Sequence, residues 1–446
     1  MSQYTGTGAP EFSATKPEAM VVGTLLLIPL AASLVSARTL SFLIVLPLVA
    51  LIYRALTLPS RSGPLITMTG PAVPALLLSL WAIASALWAA NPMLPLEKGA
   101  LALLYVCASV FMVGQVQREN PLTLRHLGEG VWMGLSLGLA YVAVEMLTDQ
   151  SVKIFIYNVL GLSAGELTPD SWYDWDNNGR LISVSWTDFT RNAAPISLFM
   201  WSAALACLGT MGRGFAPVCS AVIVVVCILI IMASPHETSQ LAVLAGIVAF
   251  ALGRVAAGFM PRLLMVGWLA ATLLVVPVAL GLYAAGLQTA DWVQHSAQGR
   301  VIIWNVTAQK TFESPIVGVG ANMTREIGPA HDRVHEDKPS EDGTVPMMSI
   351  HAHNVFLQTW FELGAVGVGL LVWLGLSLIA VMARLHEVSR PYAYATFASA
   401  ATMASASYGM WQLWFIALFA LTPVIFVVAD RVGAQAKSVK DMSATS

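Results

Sequence analysis

The chain has 446 residues, 57% hydrophobic and only 11% charged, where an average soluble domain carries about 25% charged residues. With a mean hydropathy of +0.71 this excludes a soluble globular protein, and a net charge of −2 offers no basic surplus for a nucleic acid partner. Four cysteines, Cys107, Cys207, Cys219 and Cys227, all fall in apolar runs and show no CxxC or Cys/His spacing, so they read as small core residues rather than a disulfide or zinc framework.

The first nineteen residues are polar and lack a signal-peptide pattern, which makes the apolar run 20–35 a retained first span. A span needs roughly 17–25 apolar residues. Twelve are expected, at 19–35, 40–58, 71–89, 99–116, 129–147, 193–211, 217–233, 240–257, 262–285, 355–382, 391–408 and 411–430. Only Gly409 and Met410 separate the last two. The fold class is therefore all-α and polytopic. Its expected organisation is residues 1–285 with spans one to nine and a loop at 148–192, a large loop domain at 286–353, spans ten to twelve within 354–430, and a tail at 431–446.

Basic residues in short loops set orientation. Lys16, Arg54, Arg61, Arg118, Arg125, Arg213, Arg254, Arg262, Arg384, Arg390, Arg431, Lys437 and Lys440 fall on one side, and only Arg38 and Lys98 occupy short loops on the other. The bias puts both termini in the cytoplasm and both long loops outside. Those loops carry Trp172, Tyr173, Trp175, Trp186, Trp292 and Trp304, which suit an interfacial aromatic belt or, alternatively, stacking on sugar faces. The charged stretch 335–343 has a disordered composition.

Chemistry concentrates where the second loop enters the tenth span. His351-Ala352-His353-Asn354 places two imidazoles at that junction, where ionisable groups are costly and usually functional. If the segment is extended, both rings share a face; in a helical first turn they diverge. A neutral imidazole can take a proton from a sugar hydroxyl. Asn354 can orient a ring or cap the helix. A metal reading of the pair needs further ligands, for which Asp332, Glu336 and Asp337 are available.

Arginines precede this junction. Arg300 opens a segment in which Arg300, Trp304 and Thr307 or Ala308 share one helical face, and a guanidinium fork matches phosphate oxygens. Arg191 stands just before a span, with Asp188 three residues away as a possible ion-pair partner. Arg180 sits in the turn-like Asn177-Asn178-Gly179-Arg180. The Asp-x-Asp at Asp174-Trp175-Asp176 belongs to the turn-like stretch before Arg180 and is not taken as a divalent-ion clamp, so two arginine forks would have to stabilise a diphosphate leaving group. The turn Ser234-Pro235-His236-Glu237-Thr238-Ser239 lies on the same side; it either lines the site or caps a helix.

At these residues the chain resembles the O-antigen ligase and polymerase superfamily of membrane glycosyltransferases, which includes protein O-oligosaccharyltransferases. His351-Ala352-His353-Asn354, with Phe356-Leu357-Gln358 and Glu362-Leu363-Gly364-Ala365-Val366-Gly367, is similar to its polar-loop-to-helix motif. Gly299-Arg300 through Trp304 and Pro315-Ile316-Val317-Gly318-Val319-Gly320 are similar to its earlier elements. The motifs cover about 298–371, and the twelve-span plan extends the resemblance to the whole chain.

The resemblance implies a glycosyltransferase of the bacterial inner membrane that uses no metal or other cofactor. A ligase takes polysaccharide from an undecaprenyl diphosphate-linked donor and passes it to lipid A–core on the periplasmic face. Arg191, Arg300 and His353 match the ligase functional positions. The expected catalytic set is His353, Arg300 and Arg191, with Arg191, Arg300, His351, Asn354, Trp304 and Arg180 contacting substrate. A polymerase, whose acceptor is another lipid-linked glycan, and a protein O-oligosaccharyltransferase share the motifs. A transporter is the alternative of another class; it calls for paired charges or broken helices at mid-membrane, where this sequence has few charges beyond Glu145 near an outer end.

Overall fold

In the computed structural model, residues 15–57, 70–163, 172–212, 214–334 and 348–444 are described. Arg61, Arg213, Glu336, Asp337 and the charged stretch 335–343 lie outside them, as do the side chains of Asp188, Asp332, Lys437 and Lys440.

The chain is an all-α polytopic membrane protein. Its helices in order are α1 (Lys16–Val35), α2 (Leu40–Leu43), α3 (Val45–Thr57), α4 (Ala72–Ala84), α5 (Met93–Val116), α6 (Pro121–Leu147), α7 (Ser151–Val159), α8 (Thr190–Thr210) and α9 (Ala216–Ala233). There follow α10 (Glu237–Val255), α11 (Met260–Leu273), α12 (Val275–Ala284), α13 (His295–Thr311), α14 (Thr324–Val334), α15 (Val355–Met382), α16 (Arg390–Ala406) and α17 (Leu413–Ala444). Every expected span coincides with helix. Among the described residues nine helices are long and apolar enough to cross a membrane, and α11 with α12, bent by 64°, makes a tenth. Ala72–Leu87 is a shorter apolar helix, and α16, expected as the eleventh span, is too short and too polar to count among the ten.

The loops hold more structure than their polarity suggests. The first contains α7 and a hairpin of β1 (Tyr173–Trp175) and β2 (Leu181–Val184), with Tyr173 opposite Val184. The second contains α13 and α14. Cys207 and Cys227 are buried as expected, but Cys107, expected in the core, is exposed on α5.

Packing explains which helix lies at the centre. Residues 190–210 are rich in Ala and Ser, which let backbones approach closely in a membrane. Helix α8 is buried almost throughout and packs against α6, α9, α16 and α17. Helices α1 and α6 meet through Gly130, Gly134 and Gly138; a Cβ on Gly130 would lie 2.3 Å from the Gly23 carbonyl oxygen. Asn192 then locks the top of α8 to the end of α1: its amide donates to the Val35 carbonyl (3.1 Å), and its Oδ1 accepts from the Ala37 N–H (3.0 Å). Arg191 is thereby held at the loop end of the most enclosed helix.

Helix α15 is broken at Gly364, whose φ of +60° and ψ of −166° no other residue type readily adopts. The break frees carbonyls, and each finds a donor. Phe361 O accepts from Val319 N–H (3.1 Å), Glu362 O from Gly320 N–H (2.9 Å), and Leu363 O from the Trp81 indole (3.0 Å). Below the break, Ala365 and Val366 donate to Pro315 and Ile316. The two glycine-containing motifs of the sequence are thus one pair of bonded backbones. A Cβ on Gly318 would sit 2.3 Å from the Glu362 carbonyl carbon, so the contact also requires glycine there.

Candidate functional site

The His-Ala-His segment is neither strand nor helix; Asn354 starts α15 immediately after it. Asn354 Oδ1 accepts from the Leu357 N–H at 3.1 Å, so the capping alternative is the one realised. His353 has φ +52°, a left-handed conformation costly for a non-glycine residue and most often found at functional sites. Three contacts hold the segment in place. The Trp304 indole donates to the Ala352 carbonyl (2.9 Å), His353 Nδ1 lies 2.8 Å from the Ser407 carbonyl oxygen, and His351 packs against Gly409, where a Cβ would come within 2.9 Å of the ring.

These contacts settle the protonation pattern. A carbonyl only accepts, so His353 Nδ1 carries the hydrogen and Nε2 presents a lone pair. Burial lowers the His353 pKa, the Ser407 bond raises it, and the Arg300 charge lowers it again, with a net shift downwards. The neutral form is favoured. His351 stands perpendicular to it, ring centroids 4.0 Å apart. Its Nε2 is 3.4 Å from the Gln412 amide nitrogen, and its Nδ1 is buried with no hydrogen-bond partner among the described residues. Burial and the neighbouring His353 pull His351 down to about 3.

Arg300 lies on α13, four residues before the Trp304 latch, and its charge reaches His353, His236 and Tyr408. Glu237, at the start of α10, helps keep Arg300 protonated against burial; its carboxylate also accepts from the Ser296 hydroxyl (3.1 Å), tying α10 to α13. Arg191 stacks over the Trp172 ring at 5.2 Å, and its charge also reaches Tyr408. Arg191, Arg300, His351, His353 and Trp304 therefore surround one junction. Arg180 stands apart: it is exposed at the hairpin turn, its N–H bonded to Asp176 Oδ1 (2.8 Å).

Two residues here were not singled out from sequence. His236 lies in the turn that was expected either to line the site or to cap α10. Its side chain makes no capping bond; the ring stacks on Tyr408 with centroids 5.5 Å apart. Tyr408 was placed at the end of a span, but α16 stops at Ala406 and α17 starts at Leu413, so residues 407–412 form a turn that belongs to the site. The signal available in the sequence was polarity: Ser407, Tyr408 and Gln412 interrupt an otherwise apolar run.

A buried carboxylate fastens these parts together. Glu362, fully enclosed, accepts from Asn322 N–H (2.9 Å), Thr324 N–H (3.1 Å), the Thr324 hydroxyl, the Gln358 amide (3.1 Å) and the Trp411 indole. A buried carboxylate needs such saturation to remain where it is. Among the described residues no three His, Cys, Asp or Glu side chains are grouped as metal ligands.

Residues 221–374 match the family model described as O-antigen ligase. That segment includes His236, Arg300, Trp304, His351, His353, Asn354 and Glu362, while Arg191 and Tyr408 lie on either side of it. Curated relatives include a "Putative polysaccharide ligase" of Rickettsia bellii (strain RML369-C), 27% identical over 202 residues, 45% of this chain and 49% of the relative. One of the same description from Rickettsia conorii (strain ATCC VR-613 / Malish 7) is 29% identical over 124 residues, 28% of this chain and 29% of the relative. The chain thus spans about half the length of the first relative and less of the second.

Proposed function

We propose that the protein is an O-antigen ligase, transferring polysaccharide from undecaprenyl diphosphate to lipid A–core at the periplasmic face of the bacterial inner membrane. The observation that carries this reading is the meeting of a neutral, strained His353 with Arg300 and Arg191 around one loop–membrane junction. His353 Nε2 takes the proton of the acceptor hydroxyl. That oxygen bonds to the anomeric carbon as the bond from this carbon to the diphosphate oxygen breaks, with inversion. Undecaprenyl diphosphate leaves with the electron pair. Arg191 and Arg300 bind the diphosphate and stabilise the charge it gains. With arginine in that role the transfer needs no metal.

The test is purified protein in liposomes with a labelled lipid-linked glycan donor and lipid A–core, with and without EDTA. Label moving to lipid A–core in both conditions is the expected result. Label in longer lipid-linked glycan or in added protein would reassign the acceptor, loss in EDTA restored by one divalent ion would reinstate a metal, and flux of donor without transfer would make the protein a transporter. Labelling of Ser340→Cys by an impermeant thiol reagent in intact cells tests the orientation; protection there would overturn it.

A further inference from the structure

The proposed reaction accounts for two arginines and His353, but not for the polar chain behind them. His236 is buried at the N-terminus of α10. Its Nδ1 lies 2.7 Å from the Ser239 hydroxyl, and its Nε2 lies 3.3 Å from the Tyr408 hydroxyl and 3.4 Å from that of Ser407. The Tyr408 ring is fixed on three sides, stacked on His236 and edge-on to Trp414 and Phe415 (centroids 4.6 and 5.7 Å). Its hydroxyl also hydrogen-bonds to Thr190, the residue before Arg191, and to Ser407, and feels both arginine charges. A tyrosine locked this firmly, with a hydroxyl that senses two cations, is poorly explained as packing alone.

We propose that Tyr408, backed by His236 and Ser239, is a third ligand of the donor diphosphate. This rests on the ligase reading above. The chemistry follows from donor counting. A phenol has one hydrogen and two acceptor lone pairs. The chain can run in two directions, and an anion beside Tyr408 selects one. Ser239 donates to His236 Nδ1, and His236 Nε2–H and the Thr190 hydroxyl donate to Tyr408; the Tyr408 hydrogen, which can rest on the Ser407 hydroxyl without a ligand, turns to a phosphoryl oxygen when the anion is bound. Each bond in such a line polarises the next toward the anion. A neutral His236 is required, because only then can Nδ1 accept. Burial and the Arg300 charge keep it so, lowering His236 to about 4. His236 and Ser239 are positioning residues; Tyr408 touches substrate.

The experiment measures binding of undecaprenyl diphosphate to purified protein in phosphatidylethanolamine/phosphatidylglycerol nanodiscs, with undecaprenol as the uncharged control. Tyr408→Phe keeps the ring and loses the donor, and a hydrogen bond to an anion predicts about tenfold weaker binding. His236→Ala should weaken binding similarly, and His236→Gln, whose amide nitrogen replaces Nε2, should recover most of it. Rescue by glutamine separates positioning from a merely structural role, and thermal unfolding of each variant reports folding. Wild-type affinity in Tyr408→Phe, while Arg300→Lys binds weakly, would overturn the third ligand and leave the ligase reading standing. Glutamine no better than alanine at 236 would overturn the chain. Wild-type protein that binds undecaprenol as well as undecaprenyl diphosphate would overturn the reading and this proposal together.

Discussion

The imidazole of His353 hangs from the main chain of Ser407: Nδ1 and the carbonyl oxygen are 2.8 Å apart, across 54 positions of sequence. This bond joins the start of α15 to the turn between α16 and α17. It fixes the tautomer, and it aims Nε2 away from the protein's own acceptor. A base that must be regenerated every cycle benefits from a partner that cannot itself titrate.

His353→Ala should therefore slow transfer by about 10²–10⁴-fold, the usual contribution of a general base. Donor affinity should be near wild type, since the arginines carry it, and His351→Ala should be milder. In the proposed reaction the neutral form is the active one, and the His353 pKa is displaced downwards, so transfer should hold steady as pH falls towards 6.5, the ordinary imidazole value, and decline only below it. Rate and donor affinity measured side by side across pH decide this; an unchanged rate in His353→Ala would remove the base.

Arg300→Lys keeps the charge and loses the fork. If the contact to diphosphate is two-pronged, lysine should recover little of the transfer rate. Arg191→Lys should behave similarly, with an added cost from losing the guanidinium stack on Trp172. Turnover near wild type in Arg300→Lys would make a bidentate grip untenable.

Trp304→Phe isolates the latch. The ring packing beside Ala308 and Leu357 is largely kept, while the indole bond to the Ala352 carbonyl is lost. A bond of this kind contributes about 1 kcal/mol. Transfer should slow several-fold with donor affinity unchanged. If affinity falls instead, Trp304 contacts the donor, as its place in the sequence first suggested.

Gly364→Ala tests the break in α15. The new Cβ would lie 2.3 Å from the Ile316 carbonyl oxygen, at a φ that alanine disfavours. Destabilisation of about 1–3 kcal/mol is expected from the backbone strain alone. Thermal unfolding in detergent reads it; an unshifted midpoint would mean that the two backbones separate at little cost.

Much of this architecture is legible in the chain, because length and apolarity alone identify a span and the spans are long. The Arg300–Trp304 face and the His-Ala-His junction are equally visible, as charge and imidazole stand out against lipid-compatible sequence. Tyr408 and Trp411 do not stand out: one ends an expected span and the other begins the next, and only the contacts to His236 and Glu362 reveal them as parts of a polar layer. Gly364 was visible as a motif letter, but not as a break, because one positive φ inside an apolar helix leaves no compositional trace. The second loop is expected to be helical, and α13 carries the Arg300–Trp304 face as expected; the hairpin of the first loop is the part the sequence does not announce.

The same break gives α15 a divided allegiance. Residues above Gly364 give their carbonyls to segment 315–320 and to Trp81, and Glu362 ties them to Asn322, Thr324 and Trp411. Below it, Leu371 and Gly375 meet Trp268 of α11, while Val366, Trp373 and Val381 are exposed. When lipid thickness and hydrophobic length disagree, spans tilt. A tilt of the lower part can be taken up at Gly364, leaving His353 level with the arginines. Bilayer composition would then govern how a long isoprenoid reaches the site, while the register of the reacting groups stays with the polar layer above.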